Sequence, residues 1–268
     1  MVVDLRSGLQ HELRLFFIAL QFLTRVPVPA WVGWRADWMN QSARHFALVG
    51  ACVGAFGGAV FWAAAHLWPA TLAVLLSMVA TVWITGAFHE DGLADTCDGL
   101  GGAVSRRRAL DIMKDSRLGT YGTLGLLAVL ALKAAALAGL AARDLAATLV
   151  LLPVAHCWSR VAAVALLRAL PYAGDVDHAK AKPMAQQVGP GGLTVALGWG
   201  ALAALLALPW WPAAMLAAGA AATAAATGLM ARWLRHRLGG YTGDTLGATQ
   251  QFSEVAVYLV LLALLSRG

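Results

Sequence analysis

Ala73-Val74-Leu75-Leu76-Ser77-Met78-Val79-Ala80-Thr81-Val82-Trp83-Ile84-Thr85-Gly86-Ala87-Phe88 runs without a break into His89-Glu90-Asp91-Gly92-Leu93-Ala94-Asp95-Thr96-Cys97-Asp98-Gly99. The first half is a segment of bilayer-core composition. The second places Glu90, Asp91, Asp95 and Asp98 within nine positions of a chain that is only 13% charged. On a helix, Asp91, Asp95 and Asp98 fall within roughly 60° of one face, with Glu90 on a flank. Like charges at that spacing repel. A hard divalent cation is the plain neutraliser, and Mg²⁺ takes carboxylates together with substrate phosphates. Gly92 and Gly99 weaken a regular helix here.

Outward from this junction, the 268 residues are 60% apolar with mean hydropathy +0.68. Several runs are long enough to cross a bilayer, and the alternation of a transmembrane barrel is absent. The fold class is therefore all-α: a polytopic helical membrane protein of about seven spans plus an N-terminal interfacial helix. The spans are expected near 46–67, 70–88, 119–141, 146–167, 192–208, 212–231 and 248–265. One integral membrane domain covers 1–268. It comprises an N-terminal region 1–45 and a bundle 46–265 with loops 89–118, 168–191 and 232–247. Leu13–Leu23 is apolar but too short to span. Trp31, Trp34 and Trp38 suit a head-group belt. Cys52, Cys97 and Cys157 are scattered and suggest neither a disulfide framework nor a zinc site.

Sixteen of the 20 Lys and Arg residues lie in the N-terminal region and the three long loops. The positive-inside rule puts these four segments in the cytoplasm. All the residues of obvious chemistry then share one compartment. The net charge of +6 and pI near 9.7 fit anionic lipid and phosphorylated substrates better than nucleic acid.

Two further stretches carry chemistry. In Asp111-Ile112-Met113-Lys114-Asp115-Ser116-Arg117-Leu118-Gly119, Lys114 and Arg117 are phosphate donors. Ser116 and Gly119 precede a helix whose free N–H groups could receive an anion. In Arg237-Leu238-Gly239-Gly240-Tyr241-Thr242-Gly243-Asp244-Thr245, Gly243 permits close backbone approach and Thr242 offers a hydroxyl. Asp244 is that loop's only carboxylate, suited to a metal or to a nucleophile's proton. Arg117–Tyr121 matches Arg237–Tyr241 at four of five positions, which suggests a duplicated phosphate cradle. Within the spans, Arg160 is a candidate phosphate ligand. Lys133 needs a carboxylate partner, and Glu254 is one candidate. The neighbouring pair His156-Cys157 reads as helix packing.

His89-x-Asp91-Gly92-Leu93-Ala94-Asp95-Thr96-x-Asp98-Gly99 resembles the signature of the cobalamin synthase family, the adenosylcobinamide-GDP ribazoletransferases. Met113-Lys114-Asp115-Ser116-Arg117-x-Gly119 is similar to that family's second stretch. Gly240-x-Thr242-Gly243-Asp244-x-Leu246-Gly247-Ala248 is similar to its last, and Phe22-Leu23-Thr24-Arg25-x-Pro27-Val28-Pro29 to its first. The likeness runs from about residue 16 to 260. It implies a Mg²⁺-dependent enzyme of the bacterial inner membrane, with its site facing the cytoplasm. Such an enzyme joins adenosylcobinamide-GDP to α-ribazole or α-ribazole 5′-phosphate and releases GMP, in the last assembly of the cobalamin nucleotide loop. On this reading Asp91, Asp95 and Asp98, flanked by Glu90, hold Mg²⁺. Lys114, Arg117 and Arg160 bind phosphate. His89 or Asp115 is the general base, and Asp244 holds a second metal or orients the nucleophile. The partners are the two substrates and the lipid bilayer; a homo-oligomer is compatible with it.

Two rivals remain at this stage. A CDP-alcohol phosphotransferase-like enzyme would also use spaced aspartates, but its Asp-Gly-x-x-Ala-Arg is not met by Asp91-Gly92-Leu93-Ala94-Asp95. A divalent-cation transporter would place its acids at membrane depth, whereas most acids here fall in loops.

Overall fold

The computed structural model describes residues 5–174, 185 and 187–267. The described chain is helical: α1 (Leu5–Leu23), α2 (Ala36–Ser42), α3 (Phe46–Ala65), α4 (Ala70–Thr85), α5 (Phe88–Gly101), α6 (Arg106–Met113), α7 (Thr120–Ala141), α8 (Leu145–Ala169), α9 (Pro190–Ala207), α10 (Ala213–Leu238) and α11 (Gly243–Leu265). Six helices are long and apolar enough to cross a membrane, and α4 with α5 makes a seventh candidate, bent by 89°. Leucines 124, 127, 132, 197, 205, 206 and 229 are exposed on α7, α9 and α10. Outward leucines of this kind have lipid as their solvent.

The helix at the centre is α8, with 72% of its apolar window buried. It packs most extensively on α3. Small residues make that approach possible: a Cβ on Gly54 would stand 2.6 Å from the Leu152 carbonyl, and one on Gly50 would strike the His156 carbonyl. Close backbone contact through small residues four apart is the usual way apolar helices associate in lipid. On the outside, α1 is tied to the start of α3 by Glu12, which holds Arg44 at 2.9 Å and His45 at 2.9 Å. Trp38 sits under the guanidinium groups of Arg14 and Arg35. Trp31 and Trp34 are half exposed.

One end of the bundle gathers the polar segments. Phe22 at the end of α1 touches both Phe46, which opens α3, and Phe88, which opens α5. Asp98 of α5 binds backbone amides before and within the first turn of α7. Ala173, after α8, donates to the Tyr241 carbonyl, and Tyr241 donates back to Pro171. Arg237, at the end of α10, donates to the carbonyls of Leu100 and Gly102 and so closes α5. The grouping expected from charge asymmetry is thus present in three dimensions. At the other end, Arg143 between α7 and α8 meets Ser266.

The fold departs from expectation in two places. The loop expected over 89–118 is largely two helices, α5 and α6. The duplication also fails. Gly119 precedes a helix at φ −94°, whereas Gly239 ends one at φ +72°. Tyr121 is exposed on α7 and Tyr241 is fully buried. Shared letters here serve opposite ends of helices. Asp175, Asp177, Lys180 and Lys182, in the expected 168–191 loop, lie outside the described residues.

Candidate functional site

The corner between α4 and α5 creates the site. Gly86 and Ala87 both adopt left-handed backbone, at φ 68° and 59°. Glycine does so freely, but for alanine it costs of order 1 kcal/mol. The turn carries α5 across the bundle onto the first turns of α11. The two helices meet at backbone distance, because a Cβ on Gly92 would stand 2.7 Å from the Asp244 carbonyl oxygen and one on Gly247 would stand 3.2 Å from that of His89. The glycines that weaken α5 as an isolated helix are what let it dock.

Docking brings Asp244 to the acidic face of α5. Asp95 is half-buried and its pKa is raised to about 7, first by burial and then by the charges of Asp244, Asp91 and Asp98. The carboxylates of Asp91 and Asp95 make no hydrogen bond or ion pair among the described residues. Among those residues no three His, Cys, Asp or Glu side chains are gathered closely enough to hold an ion as they stand. The donor chemistry nevertheless suits a hard cation: carboxylate oxygens from two helices repel one another and raise a proton affinity.

Asp98 departs from the expected ligand set. Its two oxygens accept from the amides of Gly119 and Gly122, each at 2.7 Å. The helix N-terminus at Gly119 does receive an anion, but the anion is this side chain and not a substrate phosphate. Glu90 also departs, since it turns inward and accepts from Gln251 at 2.8 Å. Thr242 caps α11: it accepts from the amide of Thr245, whose hydroxyl accepts from the Thr242 amide at 2.8 Å. Gly243 opens that helix.

The 114–117 segment is exposed. Arg117 grips Asp115 through a bidentate contact, which holds that carboxyl down at about 2. A carboxylate so paired is a poor proton acceptor. Lys114 and Ser116 face solvent. His89 is buried, and burial, reinforced by the Arg160 charge, pushes its pKa well below the ordinary imidazole value.

Beneath α5 lies a polar network within the spans. Lys133 of α7 pairs with Glu254 of α11 at 2.6 Å. His156 and Arg160 of α8 approach the same carboxylate at 3.3 and 3.7 Å. Gln250 and Tyr258 donate to it at 2.6 and 3.1 Å. Glu254 is thus neutralised by buried cations and is itself fully buried. Arg160 is 3% exposed, and its NH1 is directed at His156 and Ser159. A bare phosphate has no free approach to that nitrogen. From sequence His156 reads as helix packing, and Gln250 and Gln251 are given no role. The signal was there: His156 and Arg160, and Gln250, Glu254 and Tyr258, recur at four-residue spacing and so share helix faces.

The chain is thus a bundle of helices long and apolar enough to cross a membrane, with carboxylates from two of them meeting at the end where its polar segments collect. The family model described as cobalamin-5-phosphate synthase matches residues 15–262, and the chain belongs to that family. It is 62% identical over 258 residues to the adenosylcobinamide-GDP ribazoletransferase of Leptothrix cholodnii, covering 96% of this chain and 98% of the relative. The enzyme of the same name from Shewanella halifaxensis is 45% identical over 255 residues, covering 95% and 97%. That from Vibrio cholerae is 43% identical over 257 residues, covering 96% of each. No solved structure matches the chain.

Proposed function

We propose that the protein joins the cobinamide-phosphate part of adenosylcobinamide-GDP to α-ribazole or α-ribazole 5′-phosphate, with GMP as the leaving group, at the cytoplasmic face of the bacterial inner membrane. The observation that carries this reading is the docking of α5 on α11, which sets Asp244 against Asp91 and Asp95 within a chain of this family. In the reaction a ribose hydroxyl oxygen bonds to the cobinamide-side phosphorus of the pyrophosphate. The bond from that phosphorus to the bridging oxygen breaks, and GMP departs with that oxygen. Positioning and charge neutralisation carry most of such a displacement.

Asp91, Asp95 and Asp244 are the residues that would hold Mg²⁺, and when bound it supplies neutralisation of the pyrophosphate and the departing GMP. The other residues position. Asp98 anchors the start of α7 to α5, and Lys114 and Arg117 lie in the segment that leads into that anchor. Those two cations bind outer phosphate oxygens, with the Arg117 fork exchanging Asp115 for phosphate. His89 on α5 is the better candidate to accept the hydroxyl proton, because both oxygens of Asp115 are already engaged by Arg117. The high-lysine, high-arginine segments gathered at this end favour its placement in the cytoplasm.

The test is GMP formation from adenosylcobinamide-GDP and α-ribazole by the purified protein in nanodiscs, with and without Mg²⁺. Turnover that needs both the acceptor and the metal is expected. Release of CMP from CDP-alcohols instead, or metal flux into proteoliposomes without nucleotide, would refute it.

A further inference from the structure

Helices α8, α9 and α10 leave a groove between them with a cavity volume of about 560 Å³. Its origin is in the sequence. From Ala217 to Gly228, α10 carries no side chain larger than threonine, whereas α7 and α9 present leucines on their outer faces. Side chains so short leave the space beside α8 unfilled. Trp158 of α8 closes the deep end: its indole N–H donates to the Gly200 carbonyl of α9 at 3.0 Å, and its ring lies against Gly219 of α10. From there the groove runs to Ala169 and Ala231, at the end of the bundle where the polar segments collect. It is open sideways along exposed Ala201, Ala220, Ala224 and Gly228. The Thr223 and Thr227 hydroxyls in its wall donate to carbonyls of α10 itself, at 3.1 and 2.7 Å. Charge stands at the mouth. Arg232 lies one turn beyond Gly228 and Arg235 one turn beyond Ala231 on α10, and Arg168 lies three residues beyond Ala165 on α8. All three are exposed, and their guanidinium groups make no ion pair or hydrogen bond among the described residues. The three helices contain no Asp or Glu.

We propose that this groove holds an acyl chain of an anionic phospholipid, with the lipid phosphate at Arg168, Arg232 and Arg235. Shape selects the chain. The groove follows α8 over 158–169 and α10 over 220–231, about 16 Å of helix. A helix of a second copy, about 10–12 Å across, needs more than twice the available volume over that length. A single acyl chain is slender enough to lie in it and apolar enough for its wall. Charge selects the head group. A second copy related by a two-fold axis would set the same arginines against one another. A phosphate instead matches the planar guanidinium fork, and arginines just beyond a spanning segment draw anionic lipid. The occupied groove ties α10 to α8. Because Arg237 at the end of α10 closes α5, the bound lipid braces the frame on which the acidic face is carried.

The test is native mass spectrometry of the whole protein in detergent, titrated with phosphatidylglycerol or with phosphatidylcholine of the same chains. Phosphatidylglycerol should bind about tenfold more tightly than phosphatidylcholine and raise the melting temperature more. The triple variant Arg168→Gln/Arg232→Gln/Arg235→Gln alters exposed positions alone and should bring the two affinities within about twofold of each other. Ala224→Phe fills the groove from an exposed position and should weaken both lipids about tenfold. Leu127→Phe, on the outer face of α7, is the control and should change neither. Equal binding of the two lipids by wild type, a head-group preference that survives loss of the three arginines, or undiminished binding by Ala224→Phe overturns the proposal. A dimer that Ala224→Phe dissolves also overturns it, since a second copy would then be the occupant.

Discussion

Removing the Asp98 carboxylate should weaken the fold before it touches the chemistry. Both oxygens hold amide groups of the 119–122 segment at 2.7 Å, at the positive end of α7. A hydrogen bond to a charged group contributes about 1.5–3 kcal/mol. Two at the lower end, plus about 0.5 kcal/mol for the helix dipole, put the cost of Asp98→Ala at about 3.5 kcal/mol. Asp98→Asn keeps one oxygen acceptor but turns an NH₂ toward the second amide, so its cost is about 1.5 kcal/mol. Asp95→Asn is the control on the same face. It relieves repulsion among Asp91, Asp95 and Asp244 and should leave stability unchanged or raised. Denaturant unfolding in mixed micelles reads the stabilities, and hydrogen exchange at Gly119 and Gly122 reads the local loss. Asp98→Asn with wild-type stability and undiminished amide protection, alongside a destabilised Asp95→Asn, would show that Asp98 is not an anchor and belongs with the cation-binding acids.

Three other outcomes follow from the same geometry. Gly92→Ala forces a methyl against the Asp244 backbone; it should part α5 from α11 and lower Mg²⁺-dependent GMP release at least tenfold, while Ala94→Gly, which adds no atoms, should not come close to that effect. Lys133→Met leaves Glu254 short of its nearest cation and should cost about 3–5 kcal/mol by chemical unfolding, with much of that recovered in Lys133→Met/Glu254→Gln. Folded Asp95 binds its proton more tightly than the unfolded chain does, so without metal, stability should fall as pH rises from about 4 to about 7. Asp95→Asn should flatten that fall, and added Mg²⁺ should raise the melting temperature more at pH 8 than at pH 5.

Hydropathy made the span helices legible, because a bilayer demands long apolar runs and nothing else satisfies their backbone. The shared end of the loops was legible from lysine and arginine alone. The direction of α5 was not. Its corner depends on Ala87 at φ 59°, a conformation that alanine's identity does not announce. The 3.6-residue period correctly placed Asp91, Asp95 and Asp98 on one face, yet it carries no information about what that face meets. Asp98 found amides more than 20 positions away, and Asp244 arrived from another helix. Glu90 illustrates the same limit: its offset from Asp91 was readable, but that the offset faces Gln251 depends on how two helices cross. The buried network was half-legible, in that Lys133 called for a carboxylate and Glu254 was available.

The shortness of α4 has a consequence for the membrane around it. Phe46 and Phe88 both contact Phe22, so α4 returns along α3 to the same end using 16 residues. Sixteen residues rise about 24 Å, against a hydrocarbon thickness of about 30 Å. Exposed Trp68 and Trp83 flank this segment and prefer the head-group level. The lipid beside α4 must therefore pinch inward or leave the corner sunk below the phosphates. In either case the acids of α5 would lie at the floor of a dimple in the leaflet, and on the proposed reaction substrates would reach them by descending past head groups rather than by landing on a flat surface.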